Sequence, residues 1–212
     1  MSTSLATDKT LPQAKAMRPA GGSGVQQRYQ ECGNCTHKRS DGKRGAVKKQ
    51  PNSQLCFVCG LDNPIGLKLA FYEDEQRRVV ARFTPQSQHQ GYPGVVHGGI
   101  VTALLDEALA RVAIGSGRWV MTARLNVRYR RPVPICGALT VMGEAIGWKR
   151  SLFEARGRVI LADGQVGAEA EGAFAEVRPE QAERIADALG FWQVVPDAEP
   201  PDFEAWQMGW DQ

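Results

Sequence analysis

Polar and apolar positions divide the chain into three regimes. Through residue 28 there is no periodicity, and Ser, Thr, Gly, Pro, Ala and Gln dominate around the flexible run Gly21-Gly22-Ser23-Gly24. Such a composition buries too little apolar surface to fold, so residues 1–28 read as a disordered leader. Residues 29–60 hold four of the five cysteines and form a second segment. From Ile65 the pattern becomes regular. Leu67, Leu69 and Phe71 alternate with Lys68, Ala70 and Tyr72, and Val79, Ala81 and Phe83 alternate with Arg82 and Thr84, predicting two strands across a charged turn. Ile100 to Ile114 is apolar almost all round, which places a helix at the centre of a core. Four further strand-like runs follow at about 119–130, 138–147, 152–161 and 165–176. The turns between them are short and favour antiparallel pairing.

Two strands, one buried helix and four strands make an α+β plan, with a single curved antiparallel sheet wrapped around the helix over residues 61–178. Residues 179–212 follow as a tail. A helix is expected from Glu180 to Leu189, starting after Pro179 and stopped by Gly190. Beyond a Pro-rich linker, Phe203, Trp206 and Trp210 at i, i+3, i+7 are expected to pack on the parent domain.

Charge changes the picture only locally. Residues 1–54 carry ten Lys/Arg against three Asp/Glu, +7, whereas the remainder carries sixteen against twenty, −4. The basic balance belongs to the leader, and a nucleic-acid partner for the folded body is not expected. No apolar run reaches the length of a membrane span and the first 20 residues lack a hydrophobic signal core, so a cytoplasmic location is expected.

Asp106 and Glu107 interrupt the apolar helix. A carboxylate on such a helix must find a partner, shift its pKa or do chemistry. Glu107 has Arg111 one turn on, at i, i+4; Asp106 has nothing on its own helix. Gly99, Thr102, Ala103, Asp106, Ala110 and Ala113 fall on one stripe of mostly small residues. The helix starts at His97-Gly98-Gly99, after the turn-rich run Gln90-Gly91-Tyr92-Pro93-Gly94. A helix N-terminus offers free N–H groups and partial positive charge to an oxygen gaining negative charge. Gly99 and Asp106 lie about 10 Å apart along the axis at 1.5 Å per residue, so one carbonyl cannot touch both within a chain. If two copies of the helix pack antiparallel through the small stripe, Gly99 of one meets Asp106 of the other, and a two-fold dimer forms two shared sites. A polarised carbonyl beside a carboxylate points to acyl transfer to water, with Asp106 as general base or nucleophile.

The run Gly94-Val95-Val96-His97-Gly98-Gly99, followed by Leu104-Leu105-Asp106-Glu107, resembles the PaaI-like acyl-CoA thioesterases of the hotdog-fold superfamily. The opening Cys56-Phe57-Val58-Cys59-Gly60 with Asn63-Pro64 and Gly66-Leu67 matches one subgroup, and Thr122 with Asn126, Tyr129 and Pro132 matches the strand after the helix. The likeness covers about residues 55–178. It implies a hotdog dimer or tetramer that hydrolyses an acyl-CoA thioester without a catalytic cofactor. By position, Gly99 would polarise the carbonyl, His97 would hold the loop or contact the thioester, and Thr122 would orient water. Several relatives carry Asn where this chain has Gly91, and Gln90 or His89 is expected to take over its polar role. Coenzyme A also brings phosphates. Thr122, Arg124, Asn126, Arg128 and Arg130 are expected on one strand face, with Arg131, Lys149 and Arg150 in nearby turns. Gln90, Gly98, Asn126, Arg128 and Arg130 are the expected substrate contacts.

Cys32-x-x-Cys35 and Cys56-x-x-Cys59, separated by 20 residues, have the spacing of two knuckles on one structural zinc. Cys136 stands alone as a free thiol. The basic residues between the pairs, Lys38 to Lys49, leave a second reading open: a non-catalytic acyl-CoA-binding regulator with a basic zinc segment. Asp106 together with Thr122 favours the enzyme over that regulator, and over a hotdog dehydratase.

Overall fold

The computed structural model describes residues 47–197. The leader, Cys32, Cys35 and the aromatic residues Phe203, Trp206 and Trp210 lie outside the described residues. Two short strands open this part, β1 (Lys48–Lys49) and β2 (Asn52–Ser53). They are followed by β3 (Phe71–Glu73), β4 (Val79–Phe83), a 3-10 turn at Ser87–His89 and the helix α1 (Gly98–Ile114). Four long strands come next: β5 (Val120–Tyr129), β6 (Leu139–Lys149), β7 (Leu152–Ile160) and β8 (Val166–Glu176). Helix α2 (Pro179–Ala188) and the two-residue β9 (Trp192–Gln193) end it, and β9 pairs with β2. The main sheet is antiparallel throughout, in the order β1-β3-β4-β6-β7-β8-β5. This is the hotdog architecture, with the sheet wrapped around α1.

The apolar helix lies where its composition demands. Val101, Leu104, Leu105, Ala108 and Leu109 are fully buried against Phe71, Val79, Leu139, Val141 and Phe174 of the sheet. Its close seat requires small strand residues. A Cβ on Gly143 would come 2.8 Å from the carbonyl oxygen of Ala108, and one on Gly157 would come 2.5 Å from Leu109 Cδ1.

The long strands and α2 start and stop within two residues of their expected bounds. The run 67–72 differs: only Phe71–Glu73 joins the sheet. Leu67 and Leu69 donate their N–H groups to the carbonyls of Phe57 and Val58, and Lys68 takes a left-handed φ of 55°. The apolar alternation there is satisfied by the cysteine turn instead of a neighbouring strand. No described helix is long and apolar enough to cross a membrane.

Candidate active site

His97 caps α1. Its backbone is extended, and its Nδ1 accepts the Gly99 N–H at 2.9 Å. In the neutral ring the proton therefore sits on Nε2, which leaves Nε2–H as the free donor of an exposed side chain. Among the described residues the Gly98 N–H donates to nothing, so one amide at the helix start is open and the next is held by histidine. Gly91 packs under this ring: a Cβ there would lie 3.1 Å from His97 Cδ2. A side chain at this position would crowd the ring. Gln90 and His89 are engaged in the turn itself. Gln90 Oε1 accepts the Gly94 N–H at 3.3 Å, and His89 Nδ1 accepts the Gln86 N–H at 2.9 Å. Burial pushes the His89 pKa down.

Two turns along, Asp106 is half-buried, and its Oδ1 accepts the Thr122 hydroxyl at 2.7 Å. Burial lifts its pKa above the ordinary carboxylate value; the Thr122 hydrogen bond opposes the shift, and the neighbouring Glu107 charge adds to it. The fold brings these two sequence-expected residues together across 16 positions of chain.

They meet because β5 is bulged. Thr122 pairs with Phe174 and Arg124 with Ala173, so Ala123 is the extra residue. The bulge reverses the phase of the strand. Thr122, Leu125, Val127 and Tyr129 lie opposite Phe174, Gly172, Ala170 and Ala168 on the helix side, whereas Arg124, Asn126 and Arg128 lie opposite Ala173, Glu171 and Glu169 on the outer side. The expected single face holding Thr122 with Arg124, Asn126, Arg128 and Arg130 does not exist. Asn126 and Arg128 line a groove of about 650 Å³ on the outer sheet face, with Arg156 and Glu171. Arg130 forms an ion pair with Glu169.

Tyr129 is the residue that sequence reasoning underused. Its hydroxyl donates to the Gly98 carbonyl at 2.9 Å and accepts from Thr102 at 2.7 Å. The unseen bulge had hidden that it shares a face with Thr122. Strand β5 therefore runs antiparallel to α1, pinned at Tyr129–Gly98 and again at Thr122–Asp106. The small stripe of the helix is consequently not open to a second helix along its length, since Thr102 and Asp106 face β5 and Ala113 is buried in the core. On its other side β5 ends the sheet. Among the described residues nothing pairs with that edge, and Met121 and Tyr129 are more than half exposed along the strand.

Glu107 faces away from this pair. Its Oε1 accepts from Arg111 Nε at 2.9 Å, and its Oε2 accepts from the Cys56 thiol at 3.7 Å. The hydrogen bond with Cys56 pulls the Cys59 pKa down against the effect of its burial, helped by Arg111 and Ser53, while the same bond, burial and the Glu107 charge push Cys56 up. Cys56, Cys59 and Glu107 form a group whose ligand atoms lie within 4.8 Å of one another and could hold a metal ion. Cys136 is an exposed free thiol.

Known proteins share parts of this sequence and its fold. Residues 93–168 match the family described as Thioesterase superfamily. The acyl-coenzyme A thioesterase THEM4 of Bos taurus is 30% identical over 127 residues, 59% of this chain and 52% of that protein. The acyl-coenzyme A thioesterase THEM5 of Homo sapiens is 35% identical over 72 residues, 34% of this chain and 29% of that protein. The chain thus spans about half the length, or less, of the curated relatives it matches. A crystal structure of a thioesterase superfamily protein superposes with a TM-score of 0.54 at 33% identity, covering 56% of this chain and 58% of that one. The E. coli PaaI protein from the phenylacetic acid degradation operon shares the fold, with a TM-score of 0.50 at 16% identity over 53% of this chain and 81% of that one.

Proposed function

We propose that the chain is a PaaI-like hotdog member of the thioesterase superfamily and that it hydrolyses the thioester of an acyl-CoA in sites shared between two copies of the chain. The observation that carries this reading is the Asp106–Thr122 pair, a partly buried carboxylate with raised pKa at the open end of an edge strand. Burial and the Glu107 charge raise the proton affinity of this carboxylate, which is the direction a general base needs.

The dimer follows from the edge. Two copies of β5 pairing antiparallel about a two-fold axis set the Tyr129 end of one strand beside the Thr122 end of the other. Because Tyr129 is bonded to Gly98, the helix start of the partner then comes alongside Asp106. This route to a shared site runs through the strand edge rather than through helix-on-helix packing.

In such a site Asp106 removes a proton from water oriented by Thr122. The oxygen adds to the thioester carbonyl carbon, and the oxyanion is stabilised by the Gly98 and Gly99 amides of the partner's helix start, with His97 yielding the Gly99 N–H. Collapse breaks the carbon–sulfur bond and returns the proton to sulfur, leaving a carboxylic acid and free coenzyme A. Asp106 as nucleophile, through a mixed anhydride that water then cleaves, uses the same atoms. Gln90 and Gly98 flank the bound carbonyl. Asn126, Arg128 and Arg130 form a polar outer-face surface for the phosphates of coenzyme A, reached around the strand edge. A homotetramer pairs two such dimers. The structural zinc expected from the cysteines takes no part in this chemistry, since Cys56 and Cys59 meet Glu107 rather than Asp106.

The test is hydrolysis of an acyl-CoA panel followed with a thiol reagent. Wild type should turn over at least one member, and Asp106→Ala should lower kcat/KM by about 10² to 10⁴ with its circular dichroism unchanged. Tight binding of acyl-CoA with no turnover by wild type would replace this reading with the acyl-CoA-binding regulator.

A further inference from the structure

The cysteine turn is organised around its sulfurs. Cys59 is 1% exposed, and Cys56 is half-buried beside it. The N–H groups of Val58 and Cys59 point at Cys56 Sγ, at 3.3 and 3.5 Å, and the Ser53 hydroxyl lies 3.4 Å from Cys59 Sγ. Gly60 closes the turn onto the Cys56 carbonyl at 2.9 Å, and a Cβ there would lie 2.4 Å from that oxygen. Donors gathered around sulfur are the surroundings that thiolate ligands need.

The third member comes from α1. Arg111, fully buried and stacked on the rings of Phe71 and Trp192, holds Glu107 Oε1 and so aims Oε2 at the sulfurs. Glu107 Oε2 and Cys56 Sγ are 3.7 Å apart. A tetrahedral ion with Zn–S near 2.3 Å and Zn–O near 2.1 Å would separate such a pair by about 3.6 Å. Once the Cys56 thiol proton has left, two thiolates, one carboxylate and the Arg111 guanidinium carry a net charge of −2, which a divalent cation cancels.

We propose that Cys56, Cys59 and Glu107 bind a thiolate-preferring divalent metal, zinc first, which ties the cysteine turn to the catalytic helix. Glu107 is a ligand that the cysteine spacing did not announce. The Cys56 thiol proton, now given to Oε2, leaves on binding, and the fourth position is open to water or one further side chain. Because Glu107 adjoins Asp106, the ion stiffens the helix turn that presents the catalytic carboxylate. The proposal does not depend on the thioesterase reading, since it is tested by metal content and spectrum.

The full-length chain, expressed with zinc and dialysed, should retain about one zinc per chain, and Cys59→Ser and Glu107→Gln should each lose most of it. Cobalt loaded into wild type should give thiolate-to-metal charge-transfer absorption with intense tetrahedral bands in the visible, and Glu107→Gln should shift the visible bands. If either variant does not fold, wild type alone decides: removal of metal by a chelator should lower Tm, and its return should restore it. Zinc content unchanged by Cys59→Ser, an octahedral cobalt spectrum, or a Cys56–Cys59 disulfide in protein purified without oxidant would each overturn the proposal.

Discussion

At the scale of single residues, the behaviour of Asp106 follows from its burial and two neighbours. Burial disfavours its charge, Glu107 adds to that effect, and the Thr122 hydroxyl acts against both by donating to the carboxylate. If Asp106 acts as the base, kcat/KM falls on the acid side as the carboxylate takes up its proton, at a pH above the usual carboxylate range. Thr122→Ala removes the one interaction that favours the charged form. The acid limb of the pH profile in that variant should therefore move to higher pH than in wild type, besides any loss in rate. A limb that stays in place while rate drops would show that Thr122 does not contact the ionising group. Gly91 was legible in the sequence only as a departure from the resemblance; contact distances show that it lies against the His97 ring.

At the scale of elements, α1 depends on one buried charge. Arg111 is fully buried; it bonds Glu107 and donates to the Pro51 carbonyl at 2.7 Å between two aromatic rings. Removing one partner of a buried ion pair strands the other, at a cost of about 3 to 5 kcal/mol. Arg111→Met should destabilise the fold by that amount in urea unfolding, and the additional change Glu107→Gln should recover part of it. A loss below about 1 kcal/mol would mean that solvent reaches the pair. The i, i+4 spacing announced this pairing in the sequence. It could not announce that Arg111 is buried or that the free oxygen of Glu107 faces the cysteine sulfurs. The same limit holds for β5. Its alternation reads as one unbroken strand, because a bulge of one residue leaves no mark in a polar, edge-facing run, yet it decides which side chains meet the helix.

At the scale of the whole molecule, the open edge of β5 makes its own demand. A ten-residue strand whose outer side is unpaired among the described residues, with Met121 and Tyr129 exposed, is a pairing surface. If the sites are shared, Asp106→Ala and Gly98→Val each lack a different half. Unfolding and refolding the two together should return about a quarter of wild-type activity, since half of the dimers are mixed and each mixed dimer has one intact site. Activity that stays at the level of the separate variants would place both halves within one chain.

The sequence by itself determined the α+β plan, the central helix, the bounds of the long strands and the candidacy of Asp106, His97 and Thr122. All but His97 and Thr122 are consequences of local periodicity and of the cost of burying a carboxylate, both of which are written residue by residue; His97 and Thr122 came with the family resemblance. Only the tertiary structure decided which residues share a face after Ala123, that Tyr129 secures the helix start, that the cysteine turn meets Glu107, and that β5 ends the sheet. These depend on register and on contacts between distant segments, where a shift of one residue exchanges the two faces of a strand and no local pattern records the choice.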